Sequence, residues 1–343
     1  MSGLSREAIL AVDRSGMLDD VLAQPHQVED ALWRVESAGV PRAELAGGLV
    51  VAGMGGSAIG GDLAAAIAGE RATAPIRTVR GYRLEPWTRA DATVLCASYS
   101  GETEETLACF AAAGELGAPR VAVTTGGRLA QEAREEGVPV IGVPAGMQPR
   151  AAVVYMTVAA LECAAACGAA PSVREELERA PALLAELCEE WGPGAGPDSE
   201  AKALAAALAG TLPVVYGAGR TAAVATRWKT QLNENPSMTA FRADLPEADH
   251  NEVCGYGDAP LAPVFLDDDG LDPRLRRRIE VTAALLGETG PRQPARIEAR
   301  GETPVERVLS LVLLGDLTSV YLAVLAGVDP TPADAIGRLK ERL

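Results

Sequence analysis

Two Ser/Gly-rich turns, each set between an apolar strand and a helix, constrain this 343-residue chain more than any other feature. The first, Gly53-Met54-Gly55-Gly56-Ser57-Ala58-Ile59-Gly60-Gly61, follows Gly48-Leu49-Val50-Val51-Ala52. The second, Ser98-Tyr99-Ser100-Gly101-Glu102-Thr103-Glu104-Glu105-Thr106, follows Ala92-Thr93-Val94-Leu95-Cys96-Ala97. Turns of this make collect unpaired backbone N–H groups and short hydroxyls at the positive end of a helix dipole, where a phosphate is favoured. Two of them in one fold point to a phosphorylated small molecule.

Around these turns the pattern alternates. Strands are expected at Leu49–Ala52, Ile76–Arg80, Thr93–Ala97, Arg120–Thr124 and Val138–Val143, with helices at Ala58–Gly69, Glu104–Gly117 and Arg128–Glu136 between them. Apolar strands alternating with helices imply βαβ units and a parallel sheet flanked by helices. Residues 1–40 read as amphipathic helices, interrupted by Pro25, that lead into a first domain over 41–190. Trp191-Gly192-Pro193-Gly194-Ala195-Gly196-Pro197-Asp198-Ser199 reads as a linker. A second cycle over 199–328 follows, with strands at Leu212–Tyr216 and Pro263–Leu266. Its helices are expected at Ser199–Gly210, Ala222–Glu234, Pro273–Gly287 and Pro304–Ala326, and a C-terminal helix falls in 329–343. Its own glycine turn, Gly217-Ala218-Gly219-Arg220-Thr221, occupies the position of the first domain's opening turn. The expectation is a duplicated α/β domain.

Composition narrows the partners. A formal charge of −16 argues against nucleic acid and leaves an anionic substrate to local donors rather than long-range steering. Aromatics are only 4% of the chain, so the core rests on Ala, Val and Leu. The run Ala151–Ala170 contains Glu162 and suits a buried core helix better than a membrane span. Without a signal-peptide pattern, a cytoplasmic protein is expected. The six cysteines form no CxxC pair, and Cys163 and Cys167 read as small core residues. Two histidines are too few for a His-rich metal site, so no metal is expected. Gly53-x-Gly55-Gly56 invites comparison with a dinucleotide turn. The acidic residue that a ribose requires is missing, because Arg77, Arg80 and Arg83 occupy its region, and no nicotinamide cofactor is expected.

Open doubly wound sheets bind ligands beyond the carboxyl ends of their strands, where Ser57, Ser98, Ser100 and Thr103 all fall. The plainer alternative is that Ser100 or Thr103 simply caps the helix that follows. Glu102 brings a negative charge to the second turn, so its side chain must point away from a bound phosphate. Gln231-Leu232-Asn233-Glu234-Asn235-Pro236 ends the helix that follows the second domain's glycine turn. A carboxylate at a helix C-terminus faces the negative end of the dipole, which favours proton uptake and suits a base; a solvated helix end is the alternative. His250, in Glu247-Ala248-Asp249-His250-Asn251-Glu252, has acidic neighbours that favour its charged form, whereas nothing chemical surrounds His26.

Together these segments resemble the sugar isomerase (SIS) superfamily and, within it, the bifunctional phosphoglucose/phosphomannose isomerase family. The resemblance rests on Gly53-Met54-Gly55-Gly56-Ser57, on Ser98-Tyr99-Ser100-Gly101-x-Thr103-x-Glu105-Thr106, on Asn233-Glu234-Asn235 and on His250-Asn251-Glu252. Asp329-Pro330-Thr331-Pro332 before a Lys-bearing helix adds to it. It implies an α/β fold of two SIS-type subdomains, each a flavodoxin-like three-layer arrangement, in a homodimer with active sites at the interface. It further implies that Gly56, Ser57, Ser98, Ser100 and Thr103 hold a hexose 6-phosphate, aided by Arg150. His250, in cis or from the partner subunit, would open the pyranose ring. Lys340, with Arg338 and Arg342 as the alternative cations, would assist at the ring oxygen. Glu234 would move a proton between C2 and C1 through a cis-enediol. The competing reading is a non-catalytic SIS protein that senses sugar phosphates; a linked amidotransferase is not expected, since no glutaminase pattern precedes the helices.

Overall fold

The computed structural model describes residues 4–256, 260–332, 334–340 and 342, without the side chains of Asp334 and Lys340. The chain divides into two units, each built on its own parallel sheet. One comprises Ala23–Ala182 with Thr303–Glu306, and the other Met1–Leu22, Leu183–Glu302 and Arg307–Leu343. Helices α1 (Arg6–Val12) and α2 (Met17–Leu22) fall in the unit of the second sheet, while α3 (Gln24–Ala38) falls in that of the first. Pro25 stands in the first turn of α3, where its missing N–H costs no hydrogen bond.

In the first unit, β1 (Leu49–Gly53), β2 (Ile76–Val79), β3 (Thr93–Ala97), β4 (Arg120–Thr124) and β5 (Val140–Gly142) pair in the order β2-β1-β3-β4-β5, all parallel. The connecting helices are α4 (Gly55–Ala68), α5 (Glu104–Leu116), α6 (Gly127–Glu135) and α7 (Val153–Ala166). Alternate strand residues serve opposite faces. Val50, Ala52, Val94 and Cys96 pack with Leu107 and Phe110 of α5 and Leu129 of α6. Val51 faces Gly61 of α4 on the other side. Hence every residue of β1 and β3 is buried.

The glycine run after β1, expected as a turn up to Ala58, is instead the first two turns of α4. Its glycines serve packing. A Cβ at Gly60 would lie 2.5 Å from the Met156 carbonyl carbon in α7, and one at Gly56 would lie 2.9 Å from the Arg150 Cα. The strand order changes direction between β1 and β3, and the crevice beyond their carboxyl ends is the ligand site of sheets wound this way. Both Ser/Gly segments leave those two strands.

The chain continues through α8 (Arg174–Trp191), a helix beyond those expected from the sequence, and α9 (Glu200–Leu208). Buried Lys202 donates from Nζ to the carbonyls of Pro193, at 3.0 Å, and Ala195, at 2.6 Å, so the Gly/Pro linker is tied down by backbone capture. The second sheet contains β6 (Leu212–Ala218), β7 (Phe241–Leu245), β8 (Leu261–Asp267) and β9 (Ala295–Glu298) in the order β7-β6-β8-β9. Its helices are α10 (Thr221–Glu234), α11 (Pro273–Thr289), α12 (Pro304–Ala326) and α13 (Asp334–Lys340). Strands β7 and β9 were not expected. They are the two edges, half polar and partly exposed, and carry no apolar run. By length and composition α12 and the stretch 149–166 are apolar enough to cross a membrane, yet both are largely buried, as core helices are.

Helix α10 is locked to α12 by polar groups. Arg227 and Asp316, each about 1% exposed, form a two-pronged ion pair at 3.1 and 3.0 Å. Trp228 Nε1 donates to the Leu311 carbonyl at 2.8 Å, and a Cβ at Gly315 would collide with that indole. Asn235 Nδ2 donates to Ser319 Oγ at 2.9 Å. Removing one member of a buried pair strands the other charge. Asp316→Ala is therefore expected to cost about 3–5 kcal/mol in urea unfolding, whereas Arg227→Met combined with Asp316→Leu recovers most of that loss. A single variant as stable as the parent contradicts this account of the lock.

Candidate active site

The two Ser/Gly segments meet at the switch point of the first sheet. Ser57, third residue of α4 and 5% exposed, accepts a hydrogen bond from the Tyr99 N–H at 3.1 Å, which stitches the first segment to the second. Ser98 Oγ accepts from the Gly101 N–H at 3.0 Å and lies 2.8 Å from Thr103 Oγ1. Gly101 holds φ +74°, and a Cβ there would collide with the Gly126 carbonyl, so the turn requires glycine. Ser100 is exposed and accepts from the Glu102 N–H at 3.2 Å.

Capping does not explain these hydroxyls. Thr103 stands at the N-cap of α5, yet its side chain makes no capping bond and turns to Ser98 instead. Met54, at the N-cap of α4, provides none either. Two helix starts without side-chain caps, with hydroxyls between them, make a cradle whose donors suit a phosphate. Glu102 keeps out of it: its carboxylate accepts from the Arg128 N–H at 2.8 Å, at the start of α6. Arg150 is 3% exposed in the turn Pro149–Ala152, which packs directly on Gly56 at the start of α4. Tyr99, part of the second motif but given no role there, organises this corner. Its hydroxyl donates to the Pro144 carbonyl and accepts from the Met147 N–H, both at 3.0 Å, holding the segment before Arg150.

Glu234 and His250 belong to the other unit. Glu234 ends α10 and, with Asn233 and Ser237, lines an open cavity of about 420 Å³ whose other walls are Val328, Asp329, Pro332, Ala335, Ile336 and Arg338. The flanking asparagines are structural. Asn233 Nδ2 donates to the Met238 carbonyl at 2.9 Å, and fully buried Asn235 reaches α12. Ser237 takes φ +51°, an uncommon strain for a residue with a Cβ, at the rim of this cavity. Of the candidate C-terminal cations, Arg338 lines the cavity; the side chain of Lys340 lies outside the described residues.

His250 is exposed at the end of the turn Glu247–His250 and is not among the residues lining that cavity. The residues on either side of it are tethered. Asp249 accepts from Arg278 Nη1 at 2.8 Å and from Thr282 Oγ1 at 2.7 Å, both on α11. Glu252 accepts from the Tyr216 hydroxyl at 3.1 Å. His26 faces solvent beside Glu29. Cys96 and Cys163 are buried, and burial pushes both thiols well up, which fits core packing rather than nucleophilic work.

Residues 197–343 match the family model described as the bacterial phospho-glucose isomerase C-terminal SIS domain. The chain is 36% identical over 301 residues to the bifunctional phosphoglucose/phosphomannose isomerase of Aquifex aeolicus, covering 86% of this chain and 90% of that one. It is 34% identical over 338 residues to the enzyme of the same name from Caldicellulosiruptor bescii, covering 95% and 98%. Among solved structures, a hypothetical protein from Thermus thermophilus superposes with a TM-score of 0.73 at 17% identity, over 98% of this chain and 93% of that one, a likeness of fold. With relatives this similar along nearly its whole length, the chain belongs to the bifunctional phosphoglucose/phosphomannose isomerase family.

Proposed function

We propose that this protein interconverts glucose 6-phosphate and mannose 6-phosphate with fructose 6-phosphate by proton transfer through a cis-enediol. The observation that carries the reading is the cradle at the β1/β3 switch point, two helix starts without side-chain caps joined by Ser57, Ser98 and Thr103, in a member of this family. Gly56, Ser57, Ser98, Ser100 and Thr103 hold the 6-phosphate, and Arg150 supplies a local cation in a chain of net charge −16. Anchoring the phosphate turns remote binding energy into orientation of C1 and C2.

Glu234 is the base. It takes the proton from C2 of the aldose and returns it to C1, and glucose and mannose 6-phosphates, epimers at C2, give the same enediol. A carboxylate lining a cavity at the end of a helix that is locked to α12 suits a task that requires one group to reach two adjacent carbons. His250 of the partner subunit opens the pyranose ring, and a C-terminal cation, Lys340 or Arg338, assists at the ring oxygen. An exposed histidine on a tethered loop supports a role across a subunit interface. The working form is then a cytoplasmic homodimer of paired SIS domains, 41–190 and 199–328, serving glycolysis and gluconeogenesis. The relatives' names are those of isomerases, which disfavours the sensor reading.

Glu234→Gln keeps the shape and removes the base. Its kcat is expected to fall about 10²–10⁴-fold in both aldose directions while a sugar-phosphate ligand still binds; turnover at the parent rate refutes the mechanism. Because a carboxylate base needs no metal, prolonged EDTA treatment is expected to leave both activities in place, and loss of activity that added divalent metal restores would contradict the scheme.

A further inference from the structure

Tyr216 and Tyr256 are two buried phenols, 1% and 5% exposed, whose hydroxyls touch each other. Tyr216, in the middle of β6, also donates to Glu252 Oε2 at 3.1 Å. Each phenol has one proton to give. With that of Tyr216 committed to the carboxylate, the Tyr256 hydroxyl must donate to the Tyr216 oxygen. The chain of donors therefore runs one way, from Tyr256 through Tyr216 to Glu252. Burial holds both phenols above their usual range, so both remain protonated donors.

Glu252 itself is exposed, and a surface carboxylate has no need of buried donors for its solvation. Its loop does. Asn251 joins two successive 3₁₀ turns, and its side chain accepts the Glu252 N–H at 2.6 Å. On the other side of His250, Asp249 is fastened to α11. His250 thus lies in a span of four residues anchored at both ends, once to helix α11 and once to β6, one of the two inner strands of the sheet. The Tyr216 ring is itself fixed by stacking on Phe265 of β8, with centroids 4.7 Å apart and planes 13° from parallel.

We propose that Tyr216 and Glu252 form a positioning relay that sets the His250 imidazole for ring opening, so that a proton-transfer group on the surface takes its placement from the core of the second sheet. The proposal rests on the reading of His250 as the ring-opening residue. Neither Tyr216 nor Glu252 is a catalytic residue in this scheme; each acts through the loop.

The test is a mutant cycle on the purified enzyme with glucose 6-phosphate and mannose 6-phosphate, read as kcat and KM together with thermal unfolding. Tyr216→Phe removes the donor and keeps the stacked ring. It is expected to lower kcat about 10- to 100-fold with KM unchanged, the scale of a small misplacement of a reacting group. Tyr216→Phe combined with His250→Ala is expected to be no slower than His250→Ala alone, because the relay has nothing left to position. Losses that multiply in the double variant, or a Tyr216→Phe enzyme at the parent rate, overturn the relay. Should Tyr216→Phe fail to fold, Glu252 carries the test: Glu252→Gln keeps an acceptor and is expected to retain activity that Glu252→Ala loses, and equal activities overturn the proposal. If His250→Ala alone runs at the parent rate, the role of His250 falls, and the relay with it, a failure visible without any change at Tyr216.

Discussion

The second unit is organised by one buried contact, the ion pair between Arg227 of α10 and Asp316 of α12. Such a pair gains little net stability over a well-packed apolar alternative, because desolvation of both charges consumes most of the attraction. What it provides is geometry. Two parallel N–H···O bonds fix the axial rotation and sliding of one helix against the other. Two turns later along α10 comes Glu234, and the next residue, Asn235, makes a second polar contact with α12 through Ser319. The carboxylate is therefore placed at the end of a helix clamped on both sides of its last turns. It can line an open cavity without its backbone being mobile.

The cradle in the first unit follows a different logic. Its donors are hydroxyls and main-chain N–H groups rather than a cluster of cations, in a protein with a large negative charge. Internal bonds keep those donors in register: Ser57 to the Tyr99 N–H, Ser98 to Gly101 and Thr103. Glu102, a charge within the turn that would oppose an anion, is engaged by the first turn of α6. Pre-arranged dipoles of this kind hold an anion without depending on a surface field that salt would screen. An acidic exterior and an anionic ligand are thereby compatible.

Much of this was legible in the sequence, and the failures share a cause. Strands β1, β3, β4, β6 and β8 announce themselves because each is a buried apolar run. The edges β7 and β9 do not, since an edge strand needs only part of its length covered and Phe241–Leu245 reads as polar chain. The glycines of the first Ser/Gly segment signalled a turn, whereas their use is the approach of α4 to α7, a tertiary demand that local pattern cannot express. At the site, Ser57, Ser98 and Thr103 were recognisable as hydroxyls at helix starts. That Thr103 forgoes its capping role, that Tyr99 carries the segment before Arg150, and that Tyr216 reaches Glu252 all depend on contacts spanning from 5 to 48 residues. In Asn233-Glu234-Asn235 the sequence marks three polar residues alike, and only packing shows that Asn235 is buried against α12 while Asn233 and Glu234 line the cavity.

The central claim is that Glu234 carries a proton between adjacent carbons of a hexose phosphate. It is met most directly by incubating fructose 6-phosphate with enzyme in D₂O and following hydrogen at C2 of the aldose products by NMR. A proton held on a carboxylate exchanges with solvent in competition with its transfer, so the parent enzyme should deliver deuterium to C2 of both glucose 6-phosphate and mannose 6-phosphate, and the Glu234→Gln enzyme should deliver it about 10²–10⁴-fold more slowly. Deuterium arriving at C2 equally fast without the carboxylate would contradict the account.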